Sequence, residues 1–473
     1  MSSELGAIQD SKAIKVGDSI LASFMSFVSI DANRKKVEKI PSADHSAAQR
    51  IVALLVAYKA ISKSNYPGQL NGSSIINEVL NWVMWFRGDN YKMNNHGLMA
   101  CYSIILSDIC LPNNVVSEKD INLAISRVTE LAEYSFDSKG MCNENTIGYH
   151  RFNMSIYEKI LIKLKYYDFF TSSIKNIELV LDKARRALQL SVFQNGMIPP
   201  IGDSPCYRSG VESILGLESF SENGFSVYKT EDLYFSFICG SSTEIHKQMD
   251  DTSFYCQYKG RDIFIDSGSY SYDREDKNRV LVASSNGHSG IFPRAFDLKL
   301  RNEVKMNYPN YLAKTEKVFQ NSNGVYMEGS YVFNEKVRPV NRKIFITASN
   351  EVVITDEFDD EFDSFIQRFI LAPGLSSHSE GGNIRIIGEG LSVSMYFFGE
   401  RNDIRIVDSK ASYEFGSLLD CYCIENNVKT SDKLSTVVIS LDGVSSVRDL
   451  SDLAKDLAYN GVNIPAILDE SSV

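Results

Sequence analysis

The spacing of apolar residues changes near residue 225, and this change constrains the fold more than any other feature of the sequence. Upstream of it, apolar residues recur at the spacing of amphipathic helices in Ser46–Ala60, Ser73–Phe86, Gly97–Ile109, Ser117–Tyr134, 152–165 and 172–193. Helices of this length joined by short loops pack as antiparallel hairpins. Residues 1–225 are therefore predicted to form a helical domain whose hairpins stack as a bundle, a solenoid or a toroid, with Asp44 as the N-cap of the first of these segments.

Downstream of the change, the apolar segments are short, rich in aromatic and β-branched residues, and separated by Gly, Asn and Asp turns. They are Leu233–Cys239, Ser253–Tyr258, Asp262–Asp266, Val325–Phe333, Lys343–Ala348, Val352–Asp356, Phe365–Leu371, Ile384–Ile387, Leu391–Phe398 and Leu434–Leu441. Residues 226–473 are predicted to form an antiparallel β-sandwich with a short terminal helix at Asp449–Tyr459. The predicted fold class is α+β and multidomain.

The bulk properties of the chain exclude several classes of function. A chain of 473 residues exceeds one ordinary core, which agrees with two domains. The net charge is −11 and no block of basic residues is present, so nucleic-acid binding is not expected. No apolar stretch is long enough to span a membrane. The eight cysteines lack metal-site spacing and are expected to be buried thiols, and no sequence feature fixes an oligomeric state.

The few histidines stand in informative places. A single histidine is more often structural than functional, but four of the six lie at element boundaries, two of them directly beside Asn or Tyr. His96 follows two asparagines at the start of a predicted helix, where backbone N–H groups favour an anion. His150 follows Tyr149, His246 precedes a strand, and His288 lies in a turn-like segment. The position of these four histidines at element boundaries favours a functional site.

Several motifs occur in an order that resembles the heparinase II/III-like polysaccharide lyases. They are Asn95-His96, Tyr149-His150, the segment Asn195–Ser204, His246–Phe254, Asp266–Tyr272, Arg279 and Ser284–His288. The resemblance covers roughly residues 44 to 295 and implies an (α/α) toroid followed by an antiparallel β-sandwich. The helical part is shorter than a full toroid, so an incomplete toroid is expected, with the site where the two parts meet.

The resemblance also implies a chemistry, which is β-elimination on a uronic-acid-containing polysaccharide. Asn95 and His96 would neutralise the sugar carboxylate, because only then can a base remove the weakly acidic neighbouring proton. Tyr149 would act as acid or base, with His246 as the opposing base or a second carboxylate contact. The residues assigned to substrate binding are His150, Tyr272, Arg279, Trp85 and Arg87.

Three positions of the motif set often hold a metal in this family, and here they are Gln248, Asp266 and His288. Glutamine stands where a histidine is usual, and an amide oxygen is a poor zinc ligand. Ser289 likewise replaces the usual asparagine. We therefore expect a hydrogen-bonded cluster and no required cofactor, with zinc at a degenerate site as the alternative.

The leading hypothesis is an enzyme, a lyase acting on an anionic polysaccharide or oligosaccharide. One alternative is a non-catalytic carbohydrate-binding or exopolysaccharide-assembly protein on the same fold. Another is hydrolysis by paired carboxylates, for which Glu144, Asp203 and Asp251 offer no obvious pair. A polymeric substrate points to the periplasm or the exterior, whereas the first residues show no export signal, which leaves the cytoplasm open.

Overall fold

The computed structural model describes residues 11–63, 70–167, 170–334, 338–358, 362–380, 382–398 and 403–442. Within these ranges the helices that precede the first strand are α1 Ser11–Val28, α2 Asp31–Glu38, α3 Ala43–Lys63, α4 Gly72–Trp85, α5 Asn95–Cys110, α6 Glu118–Ser135, α7 Ile147–Leu164 and α8 Thr171–Ser191. None of the helices described is both long and apolar enough to cross a bilayer. The predicted order, a helical part followed by an antiparallel β part, is confirmed.

The strands form three sheets in which every pairing between neighbours is antiparallel. The five-stranded sheet has the order β1-β2-β3-β4-β5 and contains β1 Gly216–Phe220, β2 Phe225–Lys229, β3 Leu233–Ile238, β4 Ser253–Tyr258 and β5 Arg261–Phe264. The four-stranded sheet has the order β15-β16-β11-β6 and contains β6 Ile291–Pro293, β11 Ser364–Ile370, β15 Asp403–Ala411 and β16 Leu419–Lys429.

The largest sheet has eight strands in the order β12-β13-β14-β17-β10-β9-β8-β7. Its members are β7 Leu312–Asn321, β8 Gly324–Val332, β9 Val340–Thr347, β10 Glu351–Glu357, β12 Ser376–Glu380, β13 Asn383–Gly388, β14 Leu391–Phe398 and β17 Leu434–Ser440. Two short helices, α9 Lys277–Ala283 and α10 Arg301–Asn307, lie in the connections between β5 and β7. These connections carry several of the residues discussed below.

Contacts divide the chain into two compact units, which do not follow a single cut in the sequence. Of the described residues, the first unit holds those up to Phe136 together with those in Phe152–Asp182, and the second holds Asp137–Arg151 and those from Lys183 onwards. Asn95 and His96 therefore belong to the first unit, whereas Tyr149 belongs to the second.

The hydrophobic core of the second unit joins its sheets. All residues of β3 and of β4 are buried, because both strands lie in the middle of the five-stranded sheet and are covered on both faces. Phe254 of β4 packs against Phe264 of β5 and Phe369 of β11, with ring centroids 5.7 and 6.1 Å away. This aromatic cluster ties the five-stranded sheet to the four-stranded one and gives the loops around it a rigid base.

A buried arginine ties the eight-stranded sheet to those same loops. Arg342 of β9 forms a two-point ion pair with Asp356 of β10, both at 2.7 Å, and neither side chain is exposed. Its Nη1 also donates to the carbonyl oxygens of Thr252 and Ser289. The segments that follow Asp251 and His288 are thereby fixed to the sheet.

Several elements differ from the prediction. Helix α3 begins at Ala43, so Asp44 lies in its first turn and the prediction of Asp44 as N-cap is wrong. The sequence analysis did not identify α1 or α2, and it also missed the strands β7 and β15, most of whose residues are exposed or half-exposed. Strand β1 begins at Gly216, before the predicted change at 225. The predicted terminal helix at Asp449–Tyr459 lies outside the described residues.

Candidate functional site

Tyr149 and His246 form the centre of a polar cluster in the second unit. Tyr149 lies in the first turn of α7, where its backbone N–H donates to Thr146 Oγ1 at 3.0 Å and so helps to cap the helix. His246 lies in the connection between β3 and β4 and has a left-handed backbone, with φ of 56°. The two rings stack with centroids 3.6 Å apart.

Asn145 is one anchor of the loop that carries His246. Asn145 Nδ2 donates to the carbonyl oxygens of Thr243 and Ile245, each at 2.8 Å. Asn145 lies just before α7, so the same short segment supplies Tyr149 and anchors the loop of His246. The contact between the two rings therefore rests on backbone anchors, which is the arrangement that holds reactive groups in place.

A second tyrosine completes the cluster. The hydroxyl of Tyr272 is 3.1 Å from the hydroxyl of Tyr149. Burial is the main cause that raises the pKa of Tyr149, and the hydrogen bond from Tyr272 offsets it only in part. Burial, followed by the charge of Asp203, raises the pKa of Tyr272 well above its usual range. Both phenols are therefore protonated at neutral pH and suited to donate a proton.

Asp203 connects the groups of the cluster to one another. Its Oδ2 is 3.1 Å from His246 Nδ1, and its Oδ1 accepts from Gln248 Nε2 at 2.7 Å. The Nη1 of Arg279 is 3.8 Å from the same Oδ1, and the Arg279 guanidinium also lies over the ring of Tyr272. On its other side, His246 Nε2 is 3.7 Å from Glu144 Oε2.

Five residues of the cluster line a cavity of about 570 Å³ in the second unit, namely Asp203, His246, Gln248, Tyr272 and Arg279. Its walls carry the basic residues Lys247, Arg274, Arg279, Arg301 and Lys305 and the carboxylates Asp203 and Glu244. Ion pairs use part of this charge, because Glu244 binds both Arg301 and Lys305. The exposed Arg274 and the half-buried Arg279 face the remaining space. The cavity is thus locally basic in a chain whose net charge is −11.

Behind the cavity lies a buried network of charges. Lys247 Nζ is 2.6 Å from Asp250 Oδ1 and 3.2 Å from Asp251 Oδ1. Burial alone would lower the pKa of Lys247, but the two carboxylates outweigh it and raise that pKa. Asp251 also binds Arg301 and the hydroxyl of Tyr311. This network holds the segment between His246 and β4 in place.

The candidate metal residues form a hydrogen-bonded cluster instead of a common ligand set. Asp266 Oδ2 is 2.6 Å from His288 Nδ1, whereas two ligand atoms on one tetrahedral zinc ion lie about 3.3 Å apart, given bonds of ~2.0–2.1 Å. Asp266 Oδ1 accepts from the backbone N–H groups of Gly202 and Gly268. Both carboxylate oxygens are therefore already engaged.

Gln248, the third of the candidate metal residues, makes its hydrogen bonds to other groups. The amide nitrogen of Gln248 faces Asp203 and the carbonyl oxygen of Gly268. Gln248 Oε1 and His288 Nε2 remain as buried atoms without a hydrogen-bond partner in the described part of the chain. One amide oxygen and one imidazole are a weaker donor set than zinc prefers, and no trio of His, Cys, Asp or Glu among the described residues is grouped as a metal site. The residues present do not fit the family's zinc.

His150 has a structural role, which corrects its assignment to substrate binding. Its side chain is 1% exposed, its Nε2 donates to the carbonyl oxygen of Ala184 at 2.8 Å, and its Nδ1 accepts from Cys142 N at 3.2 Å. Burial lowers its pKa to about 4. The ring is therefore neutral and fully used inside the second unit.

In the first unit, Asn95 and His96 begin helix α5, as the sequence indicated. The side chain of Asn94 caps this helix by accepting from the N–H groups of His96 and Gly97. A Cβ on Gly97 would lie 1.8 Å from the carbonyl oxygen of Lys92, so only glycine fits after the Asn-His pair. His96 Nδ1 is 3.1 Å from Asp44 Oδ2, which leaves Nε2 as the ring atom available to a ligand.

Trp85 and Arg87, also in the first unit, make contacts that bear on their predicted role. Arg87 forms a two-point ion pair with Asp120 at 2.6 and 2.7 Å, although the arginine side chain is 46% exposed. Trp85 is half-buried and packs edge-on against Trp82 and Phe86. Substrate binding by these two residues stays a prediction.

Two residues of the cluster were not assigned to it from the sequence. Asp203 was considered only as part of the motif segment Asn195–Ser204 and, like Glu144, as a hydrolytic carboxylate. Their sequence separation from His246 explains this, because Asp203 lies 43 positions upstream of it. The Gly-Asp-Ser motif that contains Asp203 was the one available indication.

Comparisons with known proteins agree with this architecture. The family described as heparinase II/III-like, C-terminal matches residues 215–443. A crystal structure of heparinase III superposes with a TM-score of 0.72 at 13% identity, covering 91% of this chain and 75% of that one. The heparan sulfate lyase HepC from Pedobacter heparinus gives 0.65 at 14% identity, covering 93% and 74%.

A heparinase III with methylated lysines gives a TM-score of 0.70 at 16% identity and covers 87% of this chain and 68% of that one. No curated protein sequence matches the chain. At these identities the superpositions show a shared fold and nothing finer. The chain thus has a heparinase III-like fold, and its residues 215–443 form a heparinase II/III-like C-terminal domain.

Proposed function

We propose that this protein is a polysaccharide lyase that cleaves a uronic-acid-containing polysaccharide by β-elimination. The observation that supports it most is the cluster in which Tyr149 stacks on His246 and meets Tyr272 at a hydrogen-bonding distance. A cluster of this kind offers a proton acceptor and proton donors side by side, at the edge of a cavity large enough for sugar units.

The reaction requires one proton to leave and another to arrive. A base removes the hydrogen on the carbon that bears the sugar carboxylate, the bond from the next carbon to the glycosidic oxygen breaks, and a double bond forms between the two carbons. The departing oxygen must then receive a proton. His246 serves as the base in this scheme, and Tyr149 as the donor, because its phenol is protonated at neutral pH and its ring stacks on that of the base.

The carboxylate of the sugar must be neutralised for the first step to proceed. In the proposal Asn95 and His96 supply this, since a side-chain amide and an imidazole at a helix N-terminus can hydrogen-bond the charge that develops on the carboxylate. Arg279 and Arg274 supply positive charge within the cavity. They compensate locally for the overall charge of −11, which would otherwise repel an anionic polymer.

A panel of uronate polymers tests this function. Heparosan, alginate, hyaluronan and a glucuronate-bearing capsule are each incubated with the full chain, and the ultraviolet absorbance of an unsaturated uronate is followed. We expect absorbance to rise on at least one of them. Absence of both absorbance and new reducing ends on every polymer, with retained binding, would favour the alternative of a carbohydrate-binding protein.

The acid–base assignment is tested on whichever polymer is cleaved. We expect Tyr149→Phe to lower kcat by roughly 10²–10⁴-fold, the usual contribution of general acid–base catalysis. Tyr422→Phe is the matched control, because Tyr422 is an exposed tyrosine on β16 and lines no part of the cavity. Full activity of Tyr149→Phe would refute the assignment. A polymeric substrate would also favour a site of action outside the cytoplasm.

A further inference from the structure

Gln248 has a specific hydrogen-bonding task at the position where the zinc set fails. Its side chain is buried, and its Nε2 lies 2.7 Å from Asp203 Oδ1 and 3.3 Å from the carbonyl oxygen of Gly268. Both neighbours can only accept hydrogen bonds, so the nitrogen of the amide must face them. The orientation of Gln248 is therefore determined by its surroundings.

Asp203 transmits this arrangement to His246. Two donors approach Asp203 Oδ1, Gln248 Nε2 at 2.7 Å and Ser269 Oγ at 3.5 Å, and the positive charge of Arg279 Nη1 lies 3.8 Å from the same oxygen. The other oxygen, Oδ2, is left for His246 Nδ1 at 3.1 Å. Asp203 itself is 4% exposed, so water does not compete for it.

The consequence for His246 is a defined tautomer. An ionised carboxylate accepts hydrogen bonds and donates none, so the Nδ1 atom that faces it carries the hydrogen in the neutral ring. Nε2 then holds the free electron pair. The carboxylate of Glu144 faces Nε2 from 3.7 Å, which is beyond hydrogen-bonding distance. A base that must take a proton through Nε2 needs this tautomer.

We propose that Asp203 and Gln248 are positioning residues that fix the tautomer and orientation of His246, and that they do so without a metal ion. The proposal rests on the proposed function only in taking His246 as the base. It accounts for Gln248, because its amide N–H donates to Asp203 and holds that carboxylate in place. A side chain that bound zinc at this position would be turned away from Asp203. It also accounts for the burial of Asp203 beside an exposed cavity.

The most direct test is the tautomer of His246 in the substitution Asp203→Asn. The two donors at Oδ1 and the charge of Arg279 retain the amide oxygen there, so the new NH₂ group faces His246 Nδ1 and donates to it. The hydrogen of the neutral ring must then move to Nε2. Nitrogen NMR of the full chain labelled at histidine reports this directly, with His246→Gln identifying the signals, at a pH where the ring is neutral.

We expect the Nδ1–H tautomer in the unsubstituted protein and the Nε2–H tautomer in Asp203→Asn. Glu244→Gln is the matched control for the spectrum, because it makes the same carboxylate-to-amide change in the same cavity but contacts Arg301 and Lys305. It should leave the tautomer of His246 unchanged. An Nε2–H ring in the unsubstituted protein, or an unchanged ring in Asp203→Asn, would overturn the proposal.

Activity and metal content provide two further arms. On a cleaved polymer, we expect Asp203→Asn to lower kcat by about 100-fold or more and Gln248→Leu by roughly 10-fold, with KM little changed. A loss that appears only in KM would contradict a positioning role. Zinc added to the metal-stripped protein should not shift its melting temperature, and stoichiometric zinc bound at Asp266 and His288 would overturn the metal-free part. Because the NMR and zinc measurements need no substrate, they remain decisive if the proposed lyase activity is not found.

Discussion

Two His–Asp pairs in the second unit have the same hydrogen-bonding pattern but opposite surroundings. His246 meets Asp203 at 3.1 Å and has 18% of its side chain exposed beside the cavity. His288 meets Asp266 at 2.6 Å and is not exposed at all. The same pair of side chains can therefore serve as a reactive group or as an internal tie, and access decides which.

The comparison also explains what Asp266 and His288 do in this protein, although the residues around them do not fit the zinc that this motif often holds in the family. Asp266 accepts from two backbone N–H groups as well as from His288, so it joins the Gly202 turn to the segment after β5. Burial opposes a charged His288, but the charge of Asp266 outweighs it and raises the pKa of His288. The Asp266–His288 pair stabilises the buried part of the site, whereas the Asp203–His246 pair lies beside the cavity.

The largest difference between the pairs should appear in catalysis. We expect His246→Gln to lower kcat on a cleaved polymer by roughly 10²–10⁴-fold, because it removes the base. The midpoint of urea unfolding should hardly change, since the side chain is partly exposed. Steady-state kinetics and urea unfolding measure the two effects. Near-normal kcat in His246→Gln would show that His246 is not the catalytic base, so the two pairs would not differ in function.

The buried pair should matter most for stability. We expect Asp266→Asn to lower the free energy of unfolding by about 3–5 kcal/mol, the usual cost of removing one partner from a buried ion pair. Urea unfolding followed by circular dichroism measures this. A loss below about 1 kcal/mol, the range of exposed ion pairs, would mean that Asp266 and His288 do not stabilise the fold.

A third histidine, His150, predicts that the stability of the protein depends on pH. The buried His150 has a folded pKa of about 4, below the unfolded value of roughly 6.5. Its contribution to stability is thus present above pH ~6.5 and is lost as the pH falls towards 4. Between pH 7 and pH 5 this amounts to about 2 kcal/mol, at 1.36 kcal/mol per pH unit.

Urea unfolding at these two pH values tests this for the original chain and for His150→Gln. The variant should lose less stability on acidification, because the glutamine has no proton to take up. Equal losses in both chains would show that other groups cause the acid sensitivity.

The smallest expected effect concerns the charge of the cavity. Arg274 is exposed on the cavity wall, so its contribution to binding an anionic sugar is screened by salt. We expect Arg274→Gln to raise KM by about threefold to fivefold, corresponding to ~0.6–1 kcal/mol, with kcat unchanged. The increase should shrink as salt is added. An effect on kcat alone would assign Arg274 a different role.

Much of the fold was predictable, and the reasons for the failures are physical. Helices α3 to α8 follow from the helical spacing of apolar residues, and β3 and β4 follow from their short apolar runs, because both strands are buried on both faces. Strands such as β15 escaped because most of their residues are exposed or half-exposed. The two-unit division could not be seen either, since Asp137–Arg151 belongs with residues far downstream.

The candidate site was predictable where a dipeptide marks an element boundary. Tyr149, His246 and Tyr272 were named from the sequence, and the structure brings them together. Asp203 was not named as their partner, because its contact with His246 depends on the packing of two distant loops. His150 was misassigned because sequence cannot distinguish a buried histidine from an exposed one beside the same tyrosine.

The most direct test of the central claim is the fate of water during cleavage. A uronate polymer that the protein cleaves is digested in water enriched in oxygen-18, and the products are analysed by mass spectrometry together with their ultraviolet absorbance. Elimination at the His246–Tyr149 cluster predicts absorbing products with no water added, and with no label beyond the slow exchange that an undigested oligosaccharide shows at its own reducing end. Labelled products without absorbance would show hydrolysis and contradict the proposed lyase.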